Sequence, residues 1–166
     1  SYDPDTEITI SAGATEALFC SFAALIRPGD EVIILEPAYD TYEPTIELFG
    51  GVIKRVTLNA PDFAVDWDAV QRLLSPKTKA IVLNSPHNPS GTILSQSDLE
   101  RLGQLLDGTE VIVISDEVYA DMVFSPQRHI SGSRIASLQA RSIVIGSFGK
   151  SFHITGWKTG FFAAPQ

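Results

Sequence analysis

Residues 142–158 read Ser142-Ile143-Val144-Ile145-Gly146-Ser147-Phe148-Gly149-Lys150-Ser151-Phe152-His153-Ile154-Thr155-Gly156-Trp157-Lys158. The opening run, Ser142 to Gly146, is short and apolar, the pattern of a strand buried within a sheet. Just past it stands Lys150, flanked by Ser, Gly and Thr, with a second cation at Lys158. A lysine in that place can be a Schiff-base nucleophile toward a carbonyl compound. Taken alone it reads as a solvated loop lysine, so the other strand ends of the chain decide.

Working outward, strands and helices alternate. Strands are predicted at Glu7–Ser11, Glu31–Leu35, Val52–Leu58, Ala80–Asn84, Glu110–Ser115, Ile143–Gly146 and Gly160–Ala164. The Val-Ile-Ile-Leu and Val-Ile-Val-Ile runs suit strands buried on both faces. Ala14–Arg27 carries Leu18, Phe22 and Leu25 at helical spacing, with Phe19, Ala23 and Ile26 beside them, and Pro28-Gly29 stops it. Tyr42–Phe49 is a second helix. Asp66 caps a third, to Leu74. Ser97 with Glu100 forms a capping box for a fourth, to Leu106. Arg134–Gln139 is a short fifth. This alternation predicts an α/β domain with a mostly parallel sheet, which binds ligands outside the carboxyl ends of its strands.

Composition narrows the function classes. A hydrophobic fraction of 44% and a charged fraction of 19% suit an ordinary globular domain. The formal charge of −8, without clustered basic residues, argues against nucleic acid and anionic membrane surfaces. No apolar run approaches the roughly 20 residues that span a bilayer. The one cysteine, Cys20, excludes an internal disulfide and fits a reducing cytoplasm; within its helical pattern it reads as core filler. His87 has no second ligand-type residue at metal-binding spacing, so it reads as structural and no metal is expected. The start at Ser1 and the stop at Gln166 suggest a piece cut from something longer.

Five strand ends then offer complementary chemistry. Gly13-Ala14-Thr15 opens a helix whose free N–H groups suit an anion. Pro37-Ala38-Tyr39 delivers a flat ring that can stack on an aromatic ligand. Pro86-His87-Asn88-Pro89 holds the Asn88 amide in a stiff loop, ready to donate a hydrogen bond. Asp116 ends a strongly apolar strand, so its carboxylate needs a cation or good donors, and Tyr119 follows it. Ser147, Lys150 and Lys158 complete the set. Singly, each reads as a turn, a half-buried ring, a cap or a surface charge. Jointly they match a phosphorylated pyridine aldehyde. Lys150 meets the aldehyde, Asp116 the ring N–H, and Tyr119 and Asn88 the ring oxygen. Tyr39 covers a face, while Gly13, Ala14, Thr15, Ser147 and Lys158 hold the phosphate.

In this order the motifs resemble those of the class I/II aminotransferases, the fold type I pyridoxal-phosphate enzymes. Gly13-Ala14-Thr15, Pro37-Ala38-Tyr39-Asp40, Asn88-Pro89-Ser90-Gly91, Asp116-Glu117-Val118-Tyr119, Ser147-Phe148-Gly149-Lys150 and Gly156-Trp157-Lys158 carry the resemblance over nearly the whole chain. Pro86-His87-Asn88-Pro89 and Ser147-Phe148-Gly149-Lys150 are similar to the methionine and kynurenine/glutamine–phenylpyruvate branch. Many relatives have arginine where Lys158 stands, which trades a bidentate fork for a point charge.

The resemblance implies a three-layer α/β/α large domain over residues 1–166, with seven strands and the last antiparallel. It implies pyridoxal 5'-phosphate as cofactor and Lys150, Asp116 and Tyr119 as catalytic residues. It also implies transamination between amino acids and 2-oxo acids in a cytoplasmic homodimer. An N-terminal segment and a C-terminal small domain, with its substrate-clamping arginine, would lie outside this chain. No arginine from Arg27 to Arg141 occupies that motif position. The isolated chain is therefore expected to be poorly active. One alternative, a carbon–sulfur β-lyase, shares every residue named; another is the cofactor-sensing domain of a transcriptional regulator. A plain α/β domain without cofactor is a further one.

Overall fold

A computed structural model describes residues 2–166. Seven strands make one sheet: β1 (Ile8–Ser11), β2 (Glu31–Glu36), β3 (Val52–Thr57), β4 (Thr78–Asn84), β5 (Ile112–Asp116), β6 (Ser142–Ser147) and β7 (Gly160–Ala163). Their order is β1-β7-β6-β5-β4-β2-β3. The pairs β2–β3, β2–β4, β4–β5 and β5–β6 are parallel, and β7 runs antiparallel to both its neighbours. The expected mostly parallel sheet with a reversed last strand is therefore the observed one.

Side-chain alternation along the strands explains the layers, because successive residues point to opposite faces. In β2, Val32 and Ile34 face one side and Ile33 and Leu35 the other. The first side packs on α1 (Ala14–Leu25) and α2 (Tyr42–Leu48) through Ala17, Leu18, Phe22 and Ile46. The second packs on α3 (Trp67–Leu73), α4 (Gln96–Leu105) and α5 (Ala136–Gln139) through Val70, Leu99, Leu102 and Leu138. Each such side chain, fully buried, contributes about 1.5–3 kcal/mol of transfer free energy. Two filled faces make the three-layer α/β/α architecture.

Two local expectations change. Cys20 is exposed rather than core filler. The face of α1 that meets the sheet is set by Ala17, Leu18 and Phe22, and at 100° per residue Cys20 is turned away from it. Phe19 is also turned out, 44% exposed, and meets Phe49 edge-on at 5.4 Å. The cap of the fourth helix lies two residues earlier than predicted. Ser95 is the N-cap: its hydroxyl accepts from the Asp98 N–H at 3.2 Å, and Asp98 Oδ2 accepts from the Ser95 N–H at 2.9 Å. Ser97 already lies inside α4. The apolar spacing of Leu99 and Leu102 fits either start, and the extended backbone of Ser95 decides it.

The two caps separate by mutation. Ser95→Ala should lower the unfolding free energy by about 0.5–2 kcal/mol. Ser97→Ala should stay within a few tenths, judged by urea unfolding. A larger loss at Ser97 would restore the original assignment.

Candidate active site

Parallel strands aim their carboxyl ends at one edge, and there the connecting loops surround a cavity of about 580 Å³. Gly13, Ala14, Thr15, Tyr39, Asn88, Asp116, Tyr119, Ser147, Lys150 and Lys158 all line it. The structure thus brings together every site residue picked from the sequence, although they span 146 positions, from 13 to 158.

One end of the cavity suits an anion. Gly13 adopts φ 88°, a conformation that costs glycine little, and turns the chain from β1 into α1. The first N–H groups of α1 have no partners within the helix. Glu16 Oε2 occupies the N–H of Ala12 at 2.5 Å, just before the helix. Ser147 Oγ accepts from the Lys150 N–H at 3.3 Å, so its own proton remains available. Lys158 sits beside Gly13 in a left-handed conformation, φ 50°. Gly160 of β7 lies against this turn so closely that a Cβ there would stand 2.6 Å from Ala14 N.

Asp116, at the end of β5, is 2% exposed. Burial pushes its pKa up to about 6, against two donors that pull it down. These are the Tyr42 hydroxyl on Oδ2 and the Val118 N–H, 3.3 Å from Oδ1. None of the ion pairs among the described residues includes Asp116. It is a desolvated acid with neutral donors and one open direction, the cavity. Tyr39 sets its ring into the same space. Lys150 rides on α6 (Phe148–Ser151), a single turn capped by Ser147, and its Nζ lies 5.5 Å from the Tyr119 ring centroid. Ser151 donates to Asp121 at 2.5 Å, tying that turn to the segment behind Tyr119.

Asn84 and Tyr42 are supporting residues that the sequence does not single out, while His87 is structural, as expected. Asn84 donates through Nδ2 to the Asp116 carbonyl at 3.0 Å and accepts the Asn88 N–H on Oδ1 at 2.7 Å. His87 bridges Pro37 O at 2.9 Å and Ser90 Oγ at 2.7 Å, with Nε2–H the donor to the carbonyl. Side-chain bonds to neighbouring segments, as well as the flanking prolines, therefore hold the Asn88 loop. Tyr42 was read only as a helix residue. A polar side chain ending an apolar strand marks Asn84, and the i, i+3 spacing from Tyr39 marks Tyr42. Glu117, next to Asp116, is also buried, but Ser115, Ser131, the Gly132 N–H and His129 occupy it. No group of three His, Cys, Asp or Glu residues among the described residues is arranged to hold a metal. No helix among them is long and apolar enough to cross a membrane.

Comparison with known proteins adds a second line of argument. The family model "Aminotransferase class I and II" matches residues 1–166. Methionine aminotransferase of Escherichia coli is 49% identical over 98% of this chain and 42% of its own length. Kynurenine–oxoglutarate transaminase 1 of Rattus norvegicus is 41% identical, over 99% of this chain and 41% of its own. A crystal structure of the Escherichia coli protein YbdL, described as a methionine aminotransferase, superposes with a TM-score of 0.97 at 48% identity, over 99% of this chain and 44% of that one. N-succinyldiaminopimelate aminotransferase of Mycobacterium tuberculosis gives 0.96 at 39%, over 99% and 44%. The chain spans about two-fifths of the length of these relatives.

The raised Asp116 pKa makes a pH prediction for the ligand-free protein. Between about pH 4, the ordinary aspartate range, and pH 6 the unfolded chain loses this proton before the fold does. The group's contribution to stability is thus present below about pH 4 and lost by pH 7, a change on the order of 3 kcal/mol. Asp116→Asn cannot titrate, so its stability relative to wild type should rise between about pH 4 and pH 7. Urea midpoints at the two pH values measure this. A difference that does not change with pH would contradict the desolvated carboxylate.

Proposed function

The chain belongs to the class I and II aminotransferase family, and we propose that it forms the cofactor-binding large domain of a pyridoxal-phosphate-dependent aminotransferase. The observation that carries the reading is the meeting of Lys150, Asp116, Tyr39 and the Gly13–Thr15 turn in one cavity. The donor set fits the cofactor's chemistry: a glycine turn beside Ser147 and Lys158 for a phosphate, and a buried acid lacking a cation for a pyridinium. When bound, pyridoxal phosphate supplies an electron sink for charge that develops at a substrate carbon.

The chain's own residues do the rest. Gly13, Ala14, Thr15, Ser147 and Lys158 bind the phosphate and fix its position. Asp116 accepts the hydrogen bond of the ring N–H and keeps that proton on the ring nitrogen. Tyr39 covers one ring face and excludes water from it. Tyr119 and Asn88 orient the ring oxygen. The Lys150 amine holds the aldehyde end. When not bonded to the cofactor, that amine would take the proton from the substrate's α-carbon and deliver it to the cofactor's aldehyde carbon, as a positioned general base and then acid.

Amino acids and 2-oxo acids are the proposed substrates, with methionine and kynurenine as donors in view of the named relatives, and aromatic amino acids beside them. The working form is a homodimer in the cytoplasm, completed by an N-terminal segment and a small domain. Exposed Phe124, Phe152 and Trp157 supply apolar surface for such partners. The named relatives are all aminotransferases, which favours this reading over a β-lyase or a regulator's sensor domain.

Borohydride reduction in the presence of pyridoxal phosphate, followed by peptide mapping, should place the adduct on Lys150. An adduct on Lys158 instead would sink the assignment. Turnover of amino acids by the full-length protein should require a 2-oxo acid; product formed without one would favour the lyase. The 166-residue chain alone should turn over far more slowly. Loss of substrate orientation removes a contribution of up to about 7–11 kcal/mol in well-oriented systems. Full-length rates from this chain alone would contradict that division of labour.

A further inference from the structure

Tyr42 is 2% exposed and does not line the cavity, yet it touches two groups that do. Its hydroxyl donates to Asp116 Oδ2. Its ring meets Tyr39 edge to face, with centroids 5.7 Å apart and planes at 80°. We propose that Tyr42 is a positioning residue acting through both: its hydroxyl keeps Asp116 a carboxylate aimed at the cofactor ring, and its ring edge holds Tyr39 face-on to the same ring. The proposal rests on the reading of the cavity as a pyridoxal-phosphate site.

The chemistry is a competition for one proton. Asp116 and the pyridine nitrogen are both bases, and the proton resides on the stronger. Burial strengthens Asp116 as a base, and the neighbouring Glu117 adds to this. A hydrogen bond donated to the carboxylate acts the other way, because it favours the charged form. The groups facing Asp116 are Tyr42 of α2 with Tyr39 before it, Asn84 of β4, and Glu117, the Val118 N–H and Tyr119 from its own segment, with Lys150 over the Tyr119 ring. Of these only Tyr42 and the Val118 N–H donate to the carboxylate. Tyr42 is itself held well above the ordinary phenol range, by burial first and Asp116 second, so it remains a neutral donor. Losing its hydroxyl would return the shared proton to the acid and leave the ring a poorer electron sink.

The test uses the full-length protein and pyridoxal phosphate itself, with affinity measured by fluorescence quenching from pH 5 to pH 8.5. Tyr42→Phe keeps the ring and removes the donor. Its affinity should match wild type near pH 8. The acid limb should move up by about one pH unit, making binding roughly fivefold weaker near pH 6 and approaching tenfold near pH 5. The cofactor's own ionisations are common to both proteins and cancel in the comparison. In an Asp116→Asn background the shift should vanish. Tyr42→Leu should, in addition, weaken the induced circular dichroism of the bound cofactor, since Tyr39 loses its support. If Tyr42→Phe does not fold, a fluorotyrosine at position 42 replaces it with the opposite sign: the stronger donor moves the acid limb down. Coincident pH profiles, or an unchanged dichroism band in Tyr42→Leu, overturn the role of Tyr42 alone. No binding by the unaltered protein at any pH overturns the reading of the site, and this role with it.

Discussion

A carboxylate buried at the end of a central strand constrains everything around it. Asp116 has no charged partner among the described residues, so it is tolerated only because neutral donors reach it and a cavity lies on its open side. Its strand lies between β4 and β6, and both deliver cavity-lining loops next to it. A stable fold has little reason to bury an acid in this way. A site that must keep a proton on a ligand's ring nitrogen has a strong one.

Rigidity around that acid comes from crossed bonds between loops rather than from the loops themselves. Asn84 joins the end of β5 to the Asn88 loop, and His87 joins that loop to the one carrying Tyr39. Ser151 ties the lysine turn to the segment following Tyr119. Each brace costs a polar group its hydration, which is acceptable only when its partners are all present. The geometry is thus held cooperatively, and a change in one loop is felt in its neighbours.

The architecture was legible because its signals are periodic. Runs such as Val32–Leu35 and Ile112–Ile114 have one reading as buried strands, and the helices between them force parallel pairing. The residues that line the cavity were legible because most of them stand in the loops that follow such runs. Features set by geometry across the fold were not. Cys20 sits in an apolar helix, and only the packing of Leu18 and Phe22 on the sheet turns it outward. Ser95 and Ser97 are equally good caps in sequence, and backbone conformation selects one. The Tyr42–Asp116 bond spans 74 residues, and no local pattern encodes a partner so distant.

The closeness of Gly160 to the Gly13–Ala14 turn also bears on the order of assembly. Within the sheet β1 pairs only with β7, Ile8 opposite Ala163, so the first strand waits for the last. Closing so long a loop is slow and depends on the intervening strands being in place. During synthesis the Gly13–Ala14 turn emerges well before its supporting wall, because Gly160 lies 146 residues after Ala14. Capture of a phosphate there would therefore report a finished sheet, making the ligand a late checkpoint of folding rather than a seed for it.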